Sequence, residues 1–225
     1  MPLNLAQVLN TVAHEIRTPL AVSQGYLKLY LDGRLTNADD QRRALQQTRD
    51  ALGVLTTLCH DMSKVSALSE VTSPALTERV TATVLVDHLK TASEVEGTAW
   101  SIEDGGRATI ASNGVVDLVK AVAIVAKAAF DEASETPRAV RVSGGLRQGS
   151  GGQGGLLMLA GSPEAVSALE AGPDAAAARQ MNFTKGGKGL RLIWAAFVLQ
   201  QHHVQTWTHQ DHRAAVGFRF PVVPA

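Results

Sequence analysis

The sequence predicts an α+β protein, in which an N-terminal helical hairpin precedes a sandwich of mixed strands and helices. Apolar residues recur at steps of three and four through roughly the first 70 residues, which is typical of amphipathic helices. The stretch "VTSPAL" interrupts this pattern, and alternating stretches such as "RAVRVSG" then predict strands between apolar helices. A helical region followed by a mixed region is the pattern of an α+β architecture.

The hairpin is predicted from two long amphipathic helices. The first covers residues 3–31, and the second covers about 39–68 after the turn residues of "LDGRLTNADD". The apolar side of the second helix steps by seven, three, four and three, close to a coiled-coil seam, through Leu45, Leu52, Leu55, Cys59 and Met62. One hairpin cannot bury apolar faces this wide. We therefore expect a homodimer in which two hairpins form a four-helix bundle.

The rest of the chain predicts a second domain. Its predicted helices are "TATVLVDHLKTASEVEG", "GVVDLVKAVAIVAKAAF", "PEAVSALEAG" and "GLRLIWAAFVLQQH", and its strands are "AWSIED", "ATIAS", "RAVRVSG", "GLLMLAG", "VQTWTH" and "AAVGFRFPV". The glycine-rich "GGLRQGSGGQGG" reads as a strand connection. The predicted domains are thus a hairpin over 1–69, a linker over 70–78 and an α/β sandwich over 79–225.

Composition argues against several classes of function. Lys plus Arg number 21 and Asp plus Glu number 21, so net charge gives no reason to expect nucleic-acid binding. The single cysteine, Cys59, cannot form an intrachain disulfide, which favours a reducing compartment. No apolar run approaches about 18 residues, and the N-terminus lacks the pattern of a signal peptide. We therefore expect a cytoplasmic protein without a membrane span.

The stretch "HEIRTPL", His14 to Leu20, carries the most specific signal. It resembles the H-box of two-component sensor histidine kinases at all seven residues. The surrounding hairpin resembles the dimerisation and phosphotransfer domain of that family. The sandwich resembles its ATP-binding domain, a fold shared with gyrase and heat-shock chaperones. The resemblance covers nearly the whole chain.

This resemblance implies roles for His14, Glu15 and Thr18. His14 would carry a phosphoryl group on a ring nitrogen, and Glu15 would assist the transfer as a hydrogen-bond acceptor or general base. Thr18 would serve dephosphorylation of a response regulator, whose receiver domain would contact Arg17 and Pro19 on the same helix. Pro19 would also bend the helix. The alternative is that His14 is only a partly exposed helix histidine near a bend.

The second domain lacks the residues that the resemblance requires for nucleotide binding. The two magnesium-binding asparagines should fall near Ala123 and Lys127, and the adenine-binding aspartate should stand at Ala160. A lysine cannot ligate magnesium, and an alanine cannot bind the adenine amino group. We therefore predict that ATP and magnesium binding are lost.

The glycine-rich segment before the last helix is the best remaining candidate for a nucleotide loop. It consists of Gly186, Gly187, Lys188 and Gly189. Glycines and a lysine at a helix N-terminus can bind an anion. The alternative is that these glycines only shape a loop.

Four histidines near the C-terminus raise the question of a metal site. His202, His203, His209 and His212 match the spacing of no closed site, and no cysteine is near. We predict surface positions for them and no metal.

Three functions remain open. The first is a phosphotransfer protein or pseudokinase that moves phosphoryl groups to or from a response-regulator aspartate through His14, or removes them with Glu15 and Thr18. The second is an active ATP-dependent histidine kinase whose nucleotide pocket has diverged. The third is a non-enzymatic dimeric scaffold. The intact H-box beside the missing nucleotide residues favours the first.

Overall fold

The computed structural model describes residues 5–70, 78–91, 99–102, 109–112, 114–133, 139–145, 154–180 and 189–221. The chain forms two compact units. The first comprises Met1–Glu70 and Thr184–Ile193, and the second comprises Val71–Phe183 and Trp194–Ala225. No helix in these described ranges is long and apolar enough to cross a membrane.

The predicted fold class, a helical hairpin followed by an α/β sandwich, is confirmed. The described helices are α1 (Leu5–Leu31), α2 (Ala38–Glu70), α3 (Ala82–Lys90), α4 (Val115–Ala133), α5 (Pro163–Leu169) and α6 (Gly189–Gln201). The described strands are β1 (Glu78–Thr81), β2 (Ala99–Ile102), β3 (Thr109–Ser112), β4 (Ala139–Gly145), β5 (Gly154–Ala160), β6 (Ala178–Gln180), β7 (Gln205–His209) and β8 (Ala215–Pro221). The domain boundaries and the dimeric bundle stay predictions.

The turn between α1 and α2 follows from local sequence. Gly33 has φ +66°, a left-handed conformation that glycine adopts without strain, and its N–H donates to the carbonyl of Tyr30 at 3.2 Å. Asn37 then caps α2, because its Oδ1 accepts a hydrogen bond from the backbone N–H of Asp40 at 2.7 Å. Gly33 and Asn37 thus define the end of α1 and the beginning of α2.

Small side chains form the buried part of the hairpin. Pro19 and Ser23 are buried on α1, and Ala44, Thr48 and Ala51 are buried on α2. Both hydroxyls are satisfied locally, since Ser23 Oγ donates to the Pro19 carbonyl and Thr48 Oγ1 donates to the Ala44 carbonyl, each at 2.9 Å. The two helices can therefore pack closely without leaving these hydroxyls unpaired.

Several large apolar side chains of α2 remain on the outside of the single chain. Leu45 is 46% exposed, Leu52 is 49% exposed and Met62 is 36% exposed. Cys59 is exposed as well. These side chains belong to the predicted coiled-coil seam, and their exposure in one chain is compatible with a bundle of two hairpins.

The second unit contains a six-stranded sheet with the order β2-β4-β5-β8-β7-β6. Its β2–β4 pair is parallel and its other pairs are antiparallel. Strands β1 and β3 form a separate antiparallel pair. Strands β1 and β6 were not predicted, and β1 begins at Glu78, the last residue of the predicted linker. Strand β6 has only three residues, and β1 is a four-residue segment between the predicted linker and α3, so neither was recognised as a strand.

Helix α5 packs on the sheet and closes part of the core. Met158 and Ala160 of β5, Val166 and Leu169 of α5, and Trp207 of β7 belong to one buried cluster. Gly217 of β8 lies opposite Trp207, and a Cβ on that glycine would come within 2.3 Å of the indole ring. The sheet thus accommodates its buried indole because residue 217 has no side chain.

Candidate functional site

The H-box lies in α1 and presents one fully exposed face. His14, Arg17 and Thr18 are all exposed, and their spacing of three and four residues puts them on the same side of the helix. The imidazole of His14 is therefore open to a macromolecular partner. This arrangement suits a side chain that must exchange a group with another protein.

Glu15 follows His14 in sequence but belongs to the neighbouring row of α1. That row runs through Thr11, Glu15, Pro19 and Ser23 at steps of four, and exposure falls from half-buried Thr11 and Glu15 to buried Pro19 and Ser23. Helix α1 continues through Pro19. Since proline has no N–H, the Glu15 carbonyl has no donor at the usual position four residues on.

The side chain of Glu15 meets the first turn of α6, which belongs to the same unit as the hairpin. The backbone N–H of Leu190 donates to Glu15 Oε2 at 3.3 Å. A Cβ at Gly189 would lie 1.9 Å from Thr11 Cγ2 and 2.6 Å from Glu15 Oε1. Glycine is therefore the residue that fits at position 189 in this arrangement.

The other carboxylate oxygen of Glu15 has a different environment. Glu15 Oε1 is buried and has no hydrogen-bond partner among the described residues. A buried carboxylate oxygen without a donor is unfavourable. The two adjacent residues of the motif thus differ sharply, with His14 in solvent and Glu15 turned inward.

The position expected for the adenine-binding aspartate lies inside the core of the second unit. Ala160 is fully buried in the cluster that includes Met158 and Trp207. The residues that follow it begin α5, with Ser162 as the N-cap and Pro163 at the start of the helix. Ser162 Oγ accepts a hydrogen bond from the N–H of Ala165 at 3.3 Å. These residues therefore serve helix capping.

Glu164 fits the same capping role. Hydrogen bonding from its own backbone amide, with a smaller effect of the Ser162 hydroxyl, lowers the pKa of the Glu164 carboxyl. An acidic side chain in the first turn complements the positive end of a helix.

The positions expected for magnesium-binding asparagines lie on α4. Ala123 is buried in the core, and Lys127 is exposed. Neither side chain offers an oxygen ligand. Within the predicted glycine loop, Gly186, Gly187 and Lys188 lie outside the described residues, and Gly189 makes the contact with α1.

The C-terminal histidines occupy unlike environments. His203 is exposed, whereas His209 and His212 are partly buried with ring centroids 5.1 Å apart. The predicted surface position is wrong for His202, which is 4% exposed with Nδ1 2.8 Å from the Val198 carbonyl oxygen. Within the described ranges, no group of three or more His, Cys, Asp or Glu residues could hold a metal ion.

The contact of Glu15 with Gly189 and Leu190 was not predicted from the sequence. The partners are 175 residues apart along the chain, and no periodic pattern connects them. The glycines of "TKGGKGL" suggested a close approach, but only toward an anion. A polar side chain of the chain's own α1 makes that approach instead.

The hairpin matches a known domain family. Residues 4–70 match the family model of the His Kinase A (phospho-acceptor) domain, which confirms the resemblance that "HEIRTPL" indicated for the hairpin. The histidine kinase AdeS of Acinetobacter baumannii is similar in structure, with a TM-score of 0.47 and 14% identity over 94% of this chain and 98% of that chain. A search of the curated proteins finds no match.

Burial of His202 predicts a pH-dependent stability. Burial lowers the pKa of His202 below its ordinary value of 6.5, although the Val198 carbonyl and the charge of Asp117 oppose the shift. Between the folded pKa and 6.5 the unfolded chain binds more protons. The free energy of unfolding should therefore fall as pH drops below about 6.5, by up to roughly 1.4 kcal/mol per pH unit.

Urea unfolding between about pH 5 and about pH 8 measures this effect. His202→Gln should flatten the slope. His203→Asn should keep most of it, because burial is the main cause of the lowered pKa of His202 and the charge of His203 adds a smaller effect. Residue 203 is exposed, and asparagine tolerates its φ of 54°. An unchanged slope in His202→Gln would assign the pH dependence to another group.

Proposed function

We propose that this histidine-kinase-like chain, whose residues 4–70 form a His Kinase A (phospho-acceptor) domain, carries phosphoryl groups on His14 to or from an aspartate of a response regulator without using ATP. One observation supports the proposal most directly. His14 is exposed on α1, within a phospho-acceptor domain, on the same face as Arg17 and Thr18. Domains of this kind act with response regulators in general.

The transfer can be written with residues of this chain and an aspartyl phosphate of the partner. A ring nitrogen of neutral His14 attacks the phosphorus, a P–N bond forms and the P–O bond to the aspartyl group breaks. The aspartate leaves as a carboxylate. The proton on the other ring nitrogen passes to a base, and Glu15 is the base that the motif provides. Positioning supplies most of the catalysis in such transfers.

Several features of the second unit support the proposal that ATP binding is lost. An aspartate in place of Ala160 would lie in the buried cluster with Met158, Val166 and Trp207, where burying a carboxylate is costly. The residues after Ala160 are committed to capping α5. Ala123 and Lys127 offer no ligand for magnesium. These observations favour a pseudokinase domain over a diverged active kinase.

Exposed leucines support homodimerisation through the hairpin. Leu45 and Leu52 are one heptad apart on α2 and each is nearly half exposed. Contiguous exposed apolar side chains mark interaction surfaces, and a second hairpin would cover these by completing a four-helix bundle. The resulting bundle of two hairpins would then present two copies of His14.

Removing His14 should abolish phosphoryl acceptance. His14→Ala should take up no label from phosphoramidate, a small donor that needs no ATP site. It should remain dimeric, because His14 lies on the polar face of α1 with Arg17 and Thr18 and not among the exposed leucines of α2. His60→Ala is the matched control, since His60 is an exposed histidine on α2. Mass spectrometry of the acid-labile label locates it. Label that persists in His14→Ala, or a His14→Ala protein that is monomeric, would contradict the proposal.

Removing the Thr18 hydroxyl should separate two activities. Thr18→Ala should slow phosphate loss from a phosphorylated receiver domain by about tenfold or more, because a positioned hydroxyl assists the attacking water. Labelling of His14 should change little, and Thr18→Ser should restore the phosphatase rate. Purified receiver domains loaded with acetyl phosphate serve as the substrate. Equal loss of both activities in Thr18→Ala would refute a separate role.

A charge on the exposed leucine face should produce monomers. Leu52→Glu should lower the mass in solution from twice 23.8 kDa to 23.8 kDa, because a carboxylate in the bundle core would be buried without a partner. Gln47→Glu adds the same charge at an exposed position on another side of α2 and should stay dimeric. Light scattering after size-exclusion chromatography measures both. A dimeric Leu52→Glu protein would place the interface elsewhere.

A further inference from the structure

We propose that the first turn of α6 is a latch that holds the Glu15 carboxylate away from the His14 reaction, so that phosphoryl transfer is slow until the turn releases it. The proposal rests on the function proposed above. It deepens that function by giving Gly189 and the Leu190 N–H a regulatory role.

Shape is the first observation that supports the latch. Thr11 and Glu15 are one turn apart on α1 and form a notch that Gly189 enters. Even a methyl group at residue 189 would overlap Thr11 Cγ2, at 1.9 Å. Such an approach requires glycine. By contrast, a Cβ added at Gly25 or Gly53 in the same unit would meet no atom within 4 Å.

Hydrogen bonding of Glu15 is the second observation. Oε2 accepts from the Leu190 N–H at 3.3 Å, which is at the long end of the range for such bonds. Oε1 is buried with no partner among the described residues. A carboxylate with one long bond and one unsatisfied buried oxygen is held weakly. The contact is therefore one that can open and close.

The latch acts on the chemistry without covering the acceptor. His14 is exposed, so a phosphodonor reaches the imidazole in either arrangement. In the latched arrangement Glu15 has one oxygen bonded to Leu190 and the other buried, so neither is free to take the imidazole proton. Glu15 then accepts the proton of His14 only in the fraction of molecules in which its carboxylate is released.

Two variants with opposite expectations test the latch. Gly189→Ala prevents the close approach and should raise the rate of His14 labelling by phosphoramidate roughly threefold to tenfold, since the released fraction limits the rate. Gly53→Ala makes the same substitution in open space on α2 and should label like the unmodified chain. Circular dichroism confirms that each variant is folded.

A second measurement does not depend on activity or on the stability of Gly189→Ala. Amide exchange of Leu190, followed by NMR, should be slow in the unmodified chain and in Gly53→Ala. It should be faster in Glu15→Ala, because that variant removes the acceptor of the Leu190 N–H. Equal exchange in Glu15→Ala and the unmodified chain would overturn the latch.

The outcomes separate the latch from the function on which it rests. If His14 is labelled equally fast in Gly189→Ala and in the unmodified chain, the latch is wrong and the proposed function stands. If His14 takes no label in any variant, the proposed function fails, and the latch fails with it as a regulator. Faster labelling together with faster exchange supports both.

Discussion

The close packing of α1 and α2 through small side chains determines which other side chains of the hairpin are exposed. Pro19 and Ser23 on one helix and Ala44, Thr48 and Ala51 on the other occupy the buried positions. Because these residues fill the contact, larger apolar side chains such as those one heptad apart on α2 stay outside. The contact between α1 and α2 thus leaves both the H-box face and the leucine face exposed.

Much of this unit could be predicted from the sequence. Apolar periodicity predicted both helices to within two residues, and "HEIRTPL" indicated the phospho-acceptor domain that the family match confirms. The leucine seam was predicted to lie between two hairpins, and Leu45 and Leu52 are accordingly exposed in one chain. Periodicity identifies an apolar face but does not say whether the same chain or a second copy covers it.

Contacts between distant residues could not be predicted in this way. His202 follows the last residue of α6 and is buried. Its neighbours in sequence, such as Gln201 and His203, are polar, so no local pattern indicated this burial. The approach of Gly189 to Glu15 joins two segments with no shared pattern. Strands β1 and β6 are defined by their pairing with β3 and β7, which the sequence of these two short segments does not reveal.

The second unit has a packed core but lacks the aspartate and asparagines that the family resemblance requires for nucleotide binding. Ala160 shows why this combination is stable, because the core cluster around α5 favours an alanine where a nucleotide site would need a carboxylate. In our account the hairpin supplies the chemistry through His14 and Glu15. The second unit contributes its fold, and no ATP is consumed.

Labelling of the unmodified chain with two phosphodonors in parallel tests this account most directly. One sample receives radiolabelled ATP with magnesium, and the other receives radiolabelled phosphoramidate. Acid-labile label is expected on His14 from phosphoramidate and none is expected from ATP. Label on His14 from ATP would contradict this account, and would make the protein an active histidine kinase with a nucleotide site that does not use the expected aspartate and asparagines.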